Sequence, residues 1–298
     1  MRIEIAEHAG YCYGVERALK LTRKASERSK KPIHTLGPII HNPQVVDSLA
    51  ADGVRSIDRI EEATGGTVIV RSHGVEPEVI ERAAERSLEV VDATCPFVAA
   101  AQQRAADLVR DGYKLVLVGE HDHPEVVGIL ARARGGALVA EKAEDVAGLK
   151  PCKRVGVVVQ TTQSIARLQE IVDRLLERCS ELKVFNTICD ATTNRQQSAK
   201  ELAKRVDVML VVGGKNSANT TRLAQICRET NSRTHHIETA TELRPEWFKK
   251  AGHVGVTAGA STPDWILDEV VGRLHALEPG GARRTERGRS AATKRPGG

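Results

Sequence analysis

Aromatic residues make up only 3% of the 298 residues while hydrophobic residues reach 41%, so any core must be aliphatic, built from Val, Leu, Ile and Ala. No apolar run approaches the ~18 residues of a membrane span, and no membrane partner is expected. The start, MRIEIAEHAG, lacks the charged-then-apolar pattern of an export signal, so a cytoplasmic address with reduced thiols is expected. Neither G-x-G-x-x-G nor a P-loop occurs, which gives no indication of nucleotide binding. No C-x-x-C occurs either, which excludes a zinc ribbon and a thioredoxin-type motif. Even the positive charge is local: six Lys/Arg and one Glu between residues 279 and 298 account for the whole formal charge of +5, leaving the body neutral. A neutral body with few aromatics shows no nucleic-acid footprint. The tail, 278–298, has almost nothing to bury and is expected to be a disordered, solvated end, although a basic tail can touch nucleic acid or acidic lipid.

What the chain does have is repetition. Three of its six cysteines, Cys12, Cys95 and Cys189, each stand just past a short apolar run and just before a helical pattern. A second strand and polar turn follow each at nearly constant distance: 29 residues to His41, 28 to His123 and 28 to Ser217. A third strand and turn follow at His73, Thr161 and Ser261. Such self-similarity means three copies of one α/β unit, with boundaries at 1–95, 96–188 and 189–277. Strands are expected at 2–6, 33–40, 54–57 and 68–70, at 88–91, 114–118, 137–140 and 155–159, and at 183–188, 208–212, 234–237 and 254–257. Their continuous β-branched runs suit mostly parallel sheets covered on both faces. Copies packed about a common axis would bring three thiols to one point, ringed by His, Thr, Ser and Asn. The other cysteines carry no such signal: Cys179 and Cys227 lie in helical runs as ordinary packing or surface thiols, and Cys152 stands in a connecting loop.

Several helices open with proline, as at Pro43, Pro77, Pro124 and Pro263. Proline suits the first helical position because that N–H has no intrahelical partner. The turns carrying His41, His73, His123 and Ser261 therefore lie at strand ends before helices, where open α/β sheets bind ligands. The turns GGKNSANTTRL, VQTTQSIARL and TAGASTPDW offer hydroxyls and N–H groups that suit an anion such as phosphate, or simply cap their helices. Lys215 is the nearest cation in these turns. Three thiolates suit an iron–sulfur cluster, in which one iron stays open to exogenous oxygen ligands, or a zinc ion with a water. Glu125, in HDHPEVVG, reads as a helix cap or as a general acid served by His121 and His123.

Taken in order, AGYCYGVERA, GPIIHNPQVV, RSHGVEP, DATCPFV, HPEVVG, QTTQS, ICDATTNRQ, GGKNSANT and TAGASTPD closely resemble the hydroxymethylbutenyl diphosphate reductases of the LytB/IspH family, from residue 1 to about 277. The resemblance implies three similar α/β domains in a pseudo-threefold trefoil around a central iron–sulfur cluster. It implies reductive removal of the allylic hydroxyl of 4-hydroxy-3-methylbut-2-enyl diphosphate, giving isopentenyl and dimethylallyl diphosphate, as the last step of the non-mevalonate pathway. It assigns Cys12, Cys95 and Cys189 to a [4Fe–4S] cluster with one non-cysteine iron site. His41, His73, His123, Ser217, Asn219 and Ser261 would hold the diphosphate, Thr161 would lie by the substrate hydroxyl, and Glu125 would deliver protons. A ferredoxin or flavodoxin would supply electrons. One departure is Ala218, where the family often has serine. The rival readings are a three-thiolate zinc hydrolase of a phosphorylated metabolite and a phosphate-binding module.

Overall fold

The computed structural model describes residues 1–134, 136–277 and, for the backbone, 285–287. Among the described residues there are thirteen strands: β1 (Arg2–Ile5), β2 (Ile33–Leu36), β3 (Val54–Ile57), β4 (Thr67–Val70), β5 (Glu89–Asp92), β6 (Lys114–Val118), β7 (Leu138–Ala140), β8 (Cys152–Val159), β9 (Cys179–Phe185), β10 (Val208–Val212), β11 (Thr234–Ile237), β12 (His253–Ala258) and β13 (Thr285–Arg287). Nine α-helices accompany them: α1 (Tyr13–Arg28), α2 (Pro43–Ala51), α3 (Pro77–Glu85), α4 (Pro96–Arg110), α5 (Pro124–Arg132), α6 (Ile165–Leu176), α7 (Asp190–Ala203), α8 (Ala218–Thr230) and α9 (Asp264–Ala276). None of these helices is long and apolar enough to cross a membrane.

All twelve strands expected from the sequence are present, and they form three parallel sheets of one plan. Their orders are β3-β2-β4-β5, β7-β6-β8-β9 and β11-β10-β12-β1-β13. Parallel strands need crossovers, and the helices supply them while covering the apolar faces. The runs VMLVV in β10 and LVLV in β6 are buried throughout, as strands covered on both faces must be. The helical stripes match too: Val15, Ala18, Leu19, Thr22 and Ala25 of α1 are buried, as are Val98, Ala101, Ala105 and Leu108 of α4. Proline opens α2, α3, α4 and α5. At α9, Pro263 is the cap and the helix begins at Asp264.

The sheets differ from the sequence repeats in one consistent way. Counted by repeat, each repeat's first strand pairs with the last strand of another repeat: β5 joins β4, β9 joins β8, and β1 joins β12. The bounds 1–95 and 96–188 keep two of these sheets whole, since β5 and β9 fall inside them, whereas the bound 189–277 leaves out β1, the strand that leads to Cys12. By compactness the chain falls into two units. One holds Met1–Cys12 and the chain from Asp190 onward; the other is Tyr13–Cys189 and contains two sheets.

Two local readings also change. Helix α6 stops at Leu176, and Cys179 opens strand β9; Cys152 likewise opens β8 rather than standing in a loop. In the tail, Thr285–Arg287 adds a parallel strand to β1. Backbone groups along an open strand edge pair without regard to side chains, so a segment with nothing to bury can still add there. The remaining tail residues expected to be disordered, 278–284 and 288–298, lie outside the described residues.

Candidate active site

The strand order creates the site's location. In each sheet the chain leaves one inner strand toward the outer edge and returns on that strand's other side. The switch points lie between β2 and β4, between β6 and β8, and between β10 and β12. Crevices outside the carboxyl ends of strands at such points are where α/β sheets hold ligands. The turns after β2 and β4 carry His41 and His73; those after β6 and β8 carry His123 and Thr161; those after β10 and β12 carry Ser217 and Ser261. The neighbouring strand then ends in a cysteine: Cys95 beside the His73 turn, Cys189 beside Thr161, and Cys12 beside the Ser261 turn.

Backbone bonds fix these cysteines. The Cys95 N–H donates to the Ser72 carbonyl at 2.9 Å, the Cys189 N–H to the Thr161 carbonyl at 3.2 Å, and the Cys12 N–H to the Ala260 carbonyl at 3.3 Å. Each cysteine immediately precedes a helix: α1 after Cys12, α4 after Cys95, α7 after Cys189. Two arginines absent from the sequence reading brace the loops. Nη1 of Arg17 donates to the Thr94 carbonyl at 3.0 Å, and Nη2 of the buried Arg195 donates to the Gly10 carbonyl at 2.7 Å. Both lie in the quoted motifs, but a long side chain's destination leaves no trace in spacing.

Within Tyr13–Cys189, the turns of two sheets bring three imidazoles together. Ring centroids are 4.6 Å apart for His41 and His73, 5.6 Å for His41 and His123, and 5.4 Å for His73 and His123. Burial lowers all three below the ordinary histidine value, and Arg71 adds to it in each case; His123 falls to about 4. They are neutral near pH 7. His123 caps α5 with Nδ1, which accepts the Glu125 N–H at 3.1 Å, so its ring proton sits on Nε2 as a donor. One nitrogen from each ring lies within 4.8 Å of the others, a spacing that admits a metal ion as well as an anion. Arg71 decides between them. It lies at the same turn, packed against Gly37, and a fixed guanidinium charge opposes a dication while favouring an anion. Its Nε is buried without a hydrogen-bond partner among the described residues. The sequence reading named only Lys215 as a nearby cation. In the structure Lys215 is exposed and paired with Glu242 at 2.6 Å.

Glu125 is 1% exposed, in the first turn of α5. Thr161 serves it twice: its N–H donates to Oε1 at 2.7 Å and its hydroxyl to Oε2 at 2.9 Å. Burial pushes the carboxyl up to about 7, against the downward pull of both Thr161 bonds. Gln160 shapes the neighbouring loop by accepting the Glu120 N–H at 2.9 Å. Gly74, just after His73, has φ of +76°, and a Cβ there would meet Nε2 of Gln102 at 2.6 Å. A side chain at that turn would disturb the histidine.

In the other unit Ser217, Asn219 and Ser261 are all buried, at the carboxyl ends of the adjacent strands β10 and β12. Ser217 caps α8, its hydroxyl oxygen accepting the Thr220 N–H at 3.4 Å. Nδ2 of Asn219 is buried with no partner among the described residues. An amide in that state calls for a ligand, since leaving it bare costs about 1–3 kcal/mol. His121 is exposed and does not join the imidazole cluster.

Three parallel sheets, each with a cysteine and two polar turns beyond its strand ends, define an α/β protein. The chain belongs to the LytB family: a family model described as LytB protein matches residues 3–275. A 4-hydroxy-3-methylbut-2-enyl diphosphate reductase of Pelobacter propionicus is 52% identical over 92% of this chain and 98% of its own length. One from Aquifex aeolicus is 49% identical over 92% and 96%. A solved structure of (E)-4-hydroxy-3-methyl-but-2-enyl diphosphate reductase, described as the terminal enzyme of the non-mevalonate pathway, superposes with a TM-score of 0.69 at 49% identity, covering 93% of this chain and all of that one. The E-1-hydroxy-2-methyl-but-2-enyl-4-diphosphate reductase of Plasmodium falciparum gives a TM-score of 0.91 at 26% identity, over 98% and 93%.

Proposed function

We propose that the chain is an iron–sulfur reductase that removes the allylic hydroxyl of 4-hydroxy-3-methylbut-2-enyl diphosphate, forming isopentenyl and dimethylallyl diphosphate in the last step of the non-mevalonate pathway. Two electrons and two protons are consumed, a C–O bond breaks, a C–H bond forms and water leaves. Family membership supports this reading, and the observation that carries it is the Glu125–Thr161 pair set beside three neutral imidazoles and Arg71.

Cys12, Cys95 and Cys189 are the residues that would hold a [4Fe–4S] cluster, leaving one iron without a cysteine. Their positions fit that group: three thiols at equivalent strand ends, each at a helix N-terminus with its N–H engaged. When bound, such a cluster supplies single electrons and a Lewis-acidic iron. A ferredoxin or flavodoxin would deliver the electrons. His41, His73 and His123, with Ser217, Asn219 and Ser261, bind the diphosphate. Nε2–H of His123 donates to it, and Arg71 adds a fixed positive charge. Glu125 holds the transferable proton. Once protonated it can donate to the Thr161 oxygen, which turns the Thr161 hydroxyl proton toward the departing oxygen.

Iron and sulfide analysis of anaerobically purified protein tests the reading. The expected protein is brown, contains iron and sulfide, and loses both in Cys12→Ser, Cys95→Ser or Cys189→Ser. Cys227→Ser should keep them, because Cys227 is fully buried in packing. A colourless zinc protein would point instead to a hydrolase, and a metal-free one to a phosphate-binding module.

A further inference from the structure

Sheet β7-β6-β8-β9 carries a feature that the proposed reduction does not use. Cys152 and Cys179 are the first residues of β8 and β9, and they are direct partners in the parallel register. Both pack against the same apolar cluster, formed by β8, α6 and their neighbours, so both side chains lie on one face. Both are free thiols and partly buried. Neighbouring strands run about 4.8 Å apart, inside the Cα separation of roughly 4.4–6.8 Å that a disulfide spans. The pairing begins with the Cys152 N–H donating to the Arg178 carbonyl at 3.0 Å, and strand ends have the freedom to close the last fraction of an ångström.

We propose that Cys152 and Cys179 form a reversible disulfide when the protein meets a small disulfide such as oxidised glutathione. The step balances as thiol–disulfide exchange. The Cys152 sulfur attacks the small disulfide and releases one thiolate; the Cys179 sulfur attacks the resulting mixed disulfide at the Cys152 sulfur and releases the second. The two cysteine protons pass to the two released thiolates, so two cysteines are oxidised and one external S–S bond is reduced. The order follows from surroundings. Lys153 and nearby Lys150 are exposed and draw an anionic disulfide to Cys152. The Cys179 thiol donates to the Leu175 carbonyl at 3.4 Å, and burial and the nearby Cys152 raise it, which suits the second step. The bond would staple the edge strand β9 to β8. β9 is the strand that leads to Cys189, so oxidation would fasten that edge without touching the residues proposed for the reaction.

The test uses cluster-loaded protein kept anaerobic and incubated with excess oxidised glutathione, then digested with trypsin without reductant. The expected product joins residues 143–153 to residues 179–183, becomes the main form of both peptides and disappears with dithiothreitol. Amide exchange in β9 should slow, and the unfolding temperature should rise by about 5 °C. Cys227, whose thiol burial pushes up to about 12, should stay unmodified. Cys152→Ser should keep the turnover of the reduced protein and lose the oxidant-dependent rise in unfolding temperature. Separate glutathione adducts on Cys152 and Cys179, or two unreacted thiols under excess oxidant, would overturn the proposal.

Discussion

At Glu125 two opposing influences meet. The start of α5 favours the carboxylate, as do both Thr161 hydrogen bonds, yet burial wins and carries the group to about 7. The sign follows directly. A carboxyl raised from about 4.5 to about 7 makes the folded state bind protons more tightly, so its ionised form costs stability above pH 7, and that cost fades as pH falls toward 4.5. The full shift corresponds to about 3 kcal/mol, of which a glutamine would recover about 2 once the lost acceptor for Thr161 is counted. Glu125→Gln should therefore unfold at a higher temperature than wild type at pH 8 and show no such gain at pH 4.5. Its turnover should fall at least ~100-fold with cluster content unchanged. At saturating substrate, where pH-dependent binding does not enter, the wild-type kcat should decline as pH rises, a limb the variant lacks. Wild-type turnover in the variant, with electron delivery shown not to limit, would leave Glu125 as a helix cap. The imidazoles carry a second consequence. Lowered by burial and Arg71, they are neutral when empty, and an arriving diphosphate raises them again. Binding of inorganic diphosphate should take up protons, weaken as pH rises from 6 to 8, and show different heats in buffers of different ionisation enthalpy. Equal heats would mean that the imidazoles stay neutral in the complex and meet the anion only as N–H donors.

At the scale of the element, the start of α8 makes a separable claim. Asn219 spends a buried amide with no partner among the described residues, which is unfavourable until a ligand arrives. Asn219→Ala should weaken diphosphate binding by about fivefold or more while leaving thermal stability near wild type, since it removes an unsatisfied group. A large loss of stability with unchanged affinity would make Asn219 a structural amide. The elements themselves were legible in the sequence because strand and helix follow from local pattern: VMLVV reads as a buried strand wherever it pairs, and proline marks a helix start by chemistry alone. Pairing was not legible. β1, β5 and β9 are short runs that mix apolar and charged residues and fit any parallel edge, and only long-range packing assigns each to the sheet it joins. The same limit hid the Cys152–Cys179 register, which joins residues read as a loop and a helix. In the site, Glu125 and Thr161 were readable as candidates from HPEVVG and QTTQS, but the two hydrogen bonds between them, and the place of Arg71 beside the imidazoles, exist only in three dimensions.

For the molecule as a whole, the charge distribution separates a neutral body from a tail that carries all of the formal +5. Among the described residues, that tail meets the fold at the three-residue β13 beside β1. Since β1 leads to Cys12, shortening the chain after Leu277 could be expected to disturb the proposed cluster. The bonds on the other side of β1 argue otherwise. Arg2 to Ile5 stay in register with β12, the Ala6 N–H donates to the Val256 carbonyl at 2.8 Å, and the Gly10 carbonyl and Cys12 N–H are held by Arg195 and Ala260. Three strand residues at an edge contribute little against four paired ones and a buried guanidinium. A chain ending at Leu277 should keep its iron, sulfide and turnover with purified electron donor, and should lose no more than about 1–2 kcal/mol of stability. Amide exchange should quicken at β1, where its outer edge is uncovered, and stay unchanged at β10. Loss of iron from the shortened chain would mean that β13, rather than β12 and Arg195, sets the position of Cys12.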